Sequence, residues 1–95
     1  MTTTAISAVV PRKRCTVLGT IVSVTAILRP SVRLNVALDD GTGTLELRFL
    51  SRTEIPGMAP GRRLRVEGTP MREGDVLLML NPLYTFLADD GHSAG

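Results

Sequence analysis

The stretch Arg33 to Leu50 constrains this chain most. Leu34, Val36 and Leu38 recur at every second position, Asp39-Asp40-Gly41-Thr42-Gly43 intervenes, and Leu45, Leu47 and Phe49 alternate again. A period of two belongs to strands, whose successive side chains point to opposite faces. Asp-Gly followed by a second glycine supplies the positive φ angles of a tight loop. The sequence therefore predicts a β-hairpin with one buried apolar face. Its other face carries Arg33, Asn35 and Ala37 on one strand and Thr44, Glu46, Arg48 and Leu50 on the next.

The flanking segments supply more strands and no amphipathic helix. Cys15 to Leu28 is long and β-branched, contains Gly19, and slips its alternation between Ile21 and Val24. A long strand with a glycine and a phase slip predicts a bulge and a bend. Arg29-Pro30-Ser31 ends it, because proline gives no amide to a ladder. Ser51 to Gly61, with Pro56, Gly57, Pro60 and Gly61, has room for at most one helical turn near Thr53 to Ile55. Arg62 to Thr69 alternates again, Pro70 to Asp75 reads as a polar turn around Gly74, and Val76 to Leu80 is apolar on both faces. Asn81-Pro82 then ends or kinks that strand before Leu83, Tyr84 and Phe86. The expected fold is all-β: a single five-stranded Greek-key barrel of the oligonucleotide/oligosaccharide-binding (OB) type, with little or no helix between strands three and four. An SH3-like barrel is the competitor; it has shorter strands and more aromatics.

With 95 residues there is room for one domain, expected over residues 12–87. Residues 1–11 read as a flexible arm and 88–95 as a disordered acidic tail. All 11 lysines and arginines fall between Arg12 and Leu87, against 7 of the 9 acidic residues, so the domain is more basic than the net +2 of the chain. Ten of the 11 are arginine, which combines phosphate hydrogen bonding with stacking on planar groups. The single cysteine, Cys15, excludes an intrachain disulfide and fits a reducing cytoplasm. A small apolar filler near the start of a strand is its expected role. No signal peptide and no membrane-spanning stretch is evident.

Enzyme chemistry finds no support. The lone histidine, His92, sits in the glycine-ended tail near Asp89, Asp90 and Ser93, where nothing rigid would hold a triad. One His and one Cys make no zinc site. Gly41-Thr42-Gly43 lacks the Gly-Lys-Ser/Thr and helix of a phosphate loop. No metal, cofactor or small-molecule substrate is expected.

Val17 to Val24, Leu38 to Leu47, Pro60 to Gly68 and Leu80 to Tyr84 together resemble bacterial nucleic-acid-binding OB domains. The nearest type is the anticodon-binding-like group, including the wedge domain of RecG helicases and small stand-alone actinobacterial proteins. The resemblance spans roughly residues 12 to 87. Two departures matter: Asn81-Pro82 stands where the wedge type has His-Pro, and Leu50 stands where an aromatic would stack on bases.

The resemblance implies a ligand face on the outward sides of the first three strands. Arg29 would come from the loop after strand one, Arg33 and Asn35 from strand two, Arg48 from strand three with Arg52 just beyond, and Arg72 from the loop between strands four and five. The arginines would contact phosphates and Asn35 would hydrogen-bond bases. Arg63 and Arg65 fall away from this face. Arg12-Lys13-Arg14 reads equally as a solvated lead-in or a phosphate contact. Four or so phosphate contacts imply a log–log salt slope of about −3. Phe49 has core parity and Tyr84 and Phe86 suit barrel closure, so little is left for base stacking, each instance of which adds about 1–3 kcal/mol. Weak, sequence-tolerant binding of single-stranded or junction DNA or RNA is the expectation. The alternative is a protein-interaction module. Leu77 and Met79 share one parity of the last strand while Val76, Leu78 and Leu80 share the other, leaving one set for the Leu83 to Phe86 segment or a second subunit to cover. A homodimer is a further expectation.

Overall fold

The computed structural model describes residues 2–88. Seven strands form one sheet: β1 (Cys15–Ile27), β2 (Arg33–Asp39), β3 (Thr44–Leu50), β4 (Arg63–Gly68), β5 (Pro70–Glu73), β6 (Val76–Leu80) and β7 (Leu83–Phe86). Their order is β5-β6-β3-β2-β1-β4-β7. All pairings are antiparallel except β3 with β6. Only Thr69 separates β4 from β5, and only Asn81-Pro82 separates β6 from β7. Each pair is one long strand broken once, so the sheet is a five-stranded barrel with seven hydrogen-bonded segments. That is the expected OB barrel, and no helix lies between β3 and β4.

β1 closes the barrel by using both of its edges. Its second half pairs with β2 and its first half with β4; Thr20 is opposite Asp39 on one side and Arg63 on the other. The register shifts between Ile21 and Ser23, which places the expected bulge at Val22. Gly19 sits where β1 crosses β2, and a Cβ there would lie 2.7 Å from Leu38 Cγ. No side chain fits that approach without displacing the core.

The β2–β3 hairpin follows the alternation residue for residue. Leu34, Val36, Leu38, Leu45, Leu47 and Phe49 are all buried. Asp39 and Asp40 shape the turn: Asp39 Oδ1 accepts from the Gly41 amide at 2.9 Å, Asp40 Oδ1 accepts from the Thr42 amide at 2.8 Å, and Gly41 takes φ 88°. Val17, Ile21, Leu64, Val66, Leu77 and Met79 complete the core, with Ile55 and Met58 of the connector packed against it.

The second hairpin departs from the sequence reading. Pro70 to Glu73, expected as turn, is strand; the turn shrinks to Gly74-Asp75, with Gly74 at φ 62°. Pro70 is tolerated there because it is the first residue of β5, at the edge of the sheet, where its missing amide breaks no ladder; its ring is buried and its carbonyl accepts from the Arg12 amide at 2.7 Å. Leu77, Leu78 and Met79 are all buried, although alternate residues point to opposite sides. Leu78 stands outside the barrel, in register with Glu46 and Met71. Leu83 to Phe86 does not cover that outer set. It pairs with β4, where Tyr84 meets Phe49 edge-on at 5.5 Å between centroids and Phe86 lies under Arg62 at 4.3 Å. The aromatics close the barrel.

Residues 4–9 do not stand away from the domain as an arm. Ile6 is buried in the core, Thr4 donates to the Thr16 carbonyl at 2.7 Å, and the Ile6 amide donates to Asp40 Oδ2 at 2.8 Å. The expected acidic tail, with His92, lies outside the described residues apart from Ala88.

Candidate nucleic-acid interface

Strand registers fix which outward residues are neighbours. One row across the barrel runs Ile27, Arg33, Leu50; the next runs Thr25, Asn35, Arg48, Leu80; a third runs Ser23, Ala37, Glu46, Leu78, Met71. Arg33 and Asn35 are two apart on one strand and so share its outer face. Arg33 Nε donates to Asn35 Oδ1 at 3.1 Å, which fixes the orientation of the amide.

Two loops add charge at the Arg33 end. Arg29 lies between β1 and β2, and Arg52 lies two residues past β3. The Ser51 amide donates to the Val32 carbonyl at 2.9 Å, tying those loops together. Arg29 and Arg52 are exposed, and neither has a carboxylate partner among the described residues. Around them lie exposed apolar side chains: Leu28 at 63%, Val32 at 41%, Leu50 at 42% and Leu80 at 45%. Leu80 was expected in an outer set for a second subunit to cover, not beside the nucleic-acid face. Its signal was Val76 to Leu80 being apolar on both faces, which leaves one parity outside the barrel.

Arg48 is close to this group but engaged. It donates through Nε to Glu46 and through Nη1 to Glu73 at 3.0 Å, and its side chain is only 14% exposed. The hydrogen bond to Glu46, reinforced by Glu73 and by both negative charges, raises its pKa against the opposing effect of desolvation. Since β6 lies between β3 and β5, the contact to Glu73 passes over β6, whose outward residue at that level is Leu78. An ion pair that crosses β6 at that level screens the leucine from water, as long basic side chains do over apolar surface. This accounts for a buried leucine outside the core.

Arg72 is not part of the group. It is on β5 opposite Leu77, on the other side of the strand from Met71 and Glu73. The expectation that put it beside the cleft took 70–75 as a loop, and the residue instead follows strand parity. Arg33 and Asn35 thus share one outer face, Arg29 and Arg52 belong to the loops at the same end of it, Arg48 is one row away and held by two carboxylates, and Arg72 lies apart.

Other chemistry is thin among the described residues. No group of three or more His, Cys, Asp or Glu is placed to hold a metal, and no helix is long and apolar enough to cross a membrane. Cys15 is half-buried, and desolvation pushes its thiol pKa up, away from nucleophilic reactivity. Arg14 pairs with Glu67 at 3.3 Å in the open, a contact of little energetic consequence.

A barrel closed through a doubly paired first strand and one parallel β3–β6 ladder is an OB fold. Solved structures agree. The chain is similar to a chain of a replication protein A heterotrimer bound to single-stranded DNA, with TM-score 0.64 and 16% identity, covering 80% of this chain and 58% of that one. It is also similar to the replication factor A related protein from Methanobacterium thermoautotrophicum, with TM-score 0.65 and 18% identity over 90% of this chain and 91% of that one. At such identities the likeness establishes the fold. No protein-family model matches the sequence, and no curated protein sequence does.

Proposed function

We propose that this chain is a non-catalytic, cytoplasmic OB-fold protein that binds single-stranded or junction nucleic acid weakly and without strong sequence preference. The observation that carries the reading is that Arg33 and Asn35 share the outer face of β2 while the loops bearing Arg29 and Arg52 are tied together at the same end, beside Leu50. Cations without carboxylate partners suit phosphates, and the leucines offer an apolar floor for base faces. The replication protein A neighbour, whose structure contains single-stranded DNA, supports the same reading. Three phosphate contacts give a log–log salt slope of about −2. Aliphatic floors lack the stacking that aromatics supply, so affinity is of micromolar order at best. Fluorescence anisotropy with a labelled oligonucleotide at two salt concentrations tests this. Arg33→Ala with Arg52→Ala is expected to weaken binding at least tenfold and flatten the slope by about 1.4. Unchanged binding by that pair removes the site from this face.

A second reading is a protein-interaction module that pairs as a homodimer, and it is favoured by the same exposed Leu28, Val32, Leu50 and Leu80. A dimer by light scattering that Leu50→Glu dissociates, with no oligonucleotide bound at low salt, would select it.

A further inference from the structure

The outward trough is electrically divided. At one end Arg29, Arg33 and Arg52 have no carboxylate partner among the described residues. Toward the other end the single positive charge of Arg48 is held by two carboxylates, Glu46 and Glu73. Beyond them opens a cavity of about 260 Å³ between the β2–β3 hairpin and the β5–β6 turn, and its charged lining residues are Glu46 and Asp75. Counting Arg48, Glu46, Glu73 and Asp75, that half carries a net charge of −2.

We infer that Glu46 and Glu73 form a carboxylate latch that withholds Arg48 from nucleic acid and confines a bound strand to the Arg29–Arg33–Arg52 end of the trough. This rests on the binding reading above and adds to it a limit on where the strand runs. A phosphate reaching Arg48 has to displace one hydrogen-bonded carboxylate while standing beside the other. Both lie well inside the Debye length of about 8 Å at physiological salt, so the repulsion is poorly screened. Glu73 is the removable half of the latch. Its side chain is 65% exposed, whereas that of Glu46 is 26% exposed.

A double-mutant cycle tests the latch: wild type, Glu73→Gln, Arg48→Ala and the double variant, each titrated into a labelled oligothymidylate of roughly 12 nucleotides, within the span of an OB site. Thermal melting of each variant verifies that it is folded. Glu73→Gln is expected to tighten binding about three- to eightfold at roughly 50 mM salt and to steepen the log–log slope by about 0.7, the mark of one added phosphate contact. The gain is expected to vanish in the double variant. A gain that survives Arg48→Ala would be a general charge effect and would overturn the latch, as would no gain at all. If wild type binds through Arg33 and Arg52 while Glu73→Gln changes nothing, the latch alone falls. If neither wild type nor Glu73→Gln binds, the latch and the binding reading fall together.

Discussion

The two hairpins of this barrel, β2–β3 and the broken pair running from β4 to β7, are built of similar residues but obey different rules. In the first, each strand keeps one face on the core along its whole length, so every second side chain is buried and the alternation is faithful. In the second, both strands bend once, at Thr69 and at Asn81-Pro82, and change partners there: β6 pairs with β3 and β5, β7 with β4. A strand that bends around a barrel exposes its convex side to other side chains as well as to water. Leu78 is buried outside the core, on the face it shares with its registered neighbours Glu46 and Met71. Periodicity is a local signal, and it fails where burial is supplied from a distance.

Replacing one leucine in each hairpin tests that contrast most strongly. Leu47→Ala, in the barrel core, is expected to cost about 3–4 kcal/mol in chemical denaturation, because rigid neighbours leave a cavity. Leu78→Ala is expected to cost about 1–2 kcal/mol, because a roof of long side chains can settle into the space. Equal losses would mean that Leu78 belongs to the core after all, and the distinction between the hairpins would collapse.

Asn81 gives a smaller effect and sharpens the account of the kink. It takes φ 47°, and its Oδ1 accepts from the Leu50 amide at 2.9 Å. Asn81→Gly keeps the backbone and loses the hydrogen bond, for about 1 kcal/mol. Asn81→Ala loses both and is expected to cost about 2 kcal/mol by the same measurement.

The smallest effect concerns Asp40 in the turn of the first hairpin. Burial would raise its pKa, but hydrogen bonds from the Thr42 side chain and from the Ile6, Thr42 and Gly43 amides outweigh this and hold it below the ordinary carboxylate value. A folded pKa below the unfolded one gives stability that is complete above about pH 4 and lost as pH falls through the lowered value. Melting curves between neutral and acid pH are expected to show a steeper acid loss for wild type than for Asp40→Asn. Parallel losses would mean that the carboxylate does not help seat Ile6.

Much of this was legible in the residues. The first hairpin, the bulge after Ile21 and the core parity of Phe49 all come from patterns within a few residues of each other. Pro70 to Glu73 was not, because proline beside charged residues has the composition of a turn and only the long β4–β5 strand makes it otherwise. The docking of Ile6 was hidden because a single isoleucine among threonines and alanines carries no period. For the interface, Arg33 and Asn35 follow from alternation on one strand, and Glu46 beside Arg48 follows from the same rule. Glu73 does not: it is 25 residues from Arg48 in sequence and reaches it across β6. Arg72 was misplaced with its segment.

The lone parallel ladder, β3 against β6, carries a consequence for assembly. Adjacent hairpins zip from their turns, but β6 reaches β3 only after the intervening chain has wrapped around the barrel. Until then Arg48 has Glu46 alone and Leu78 is bare. A chain whose β6 has not yet docked therefore lacks the Glu73 hold on Arg48 and leaves the outer face of β3 without its leucine neighbour, so the electrical character of that face is settled by the last strand to arrive.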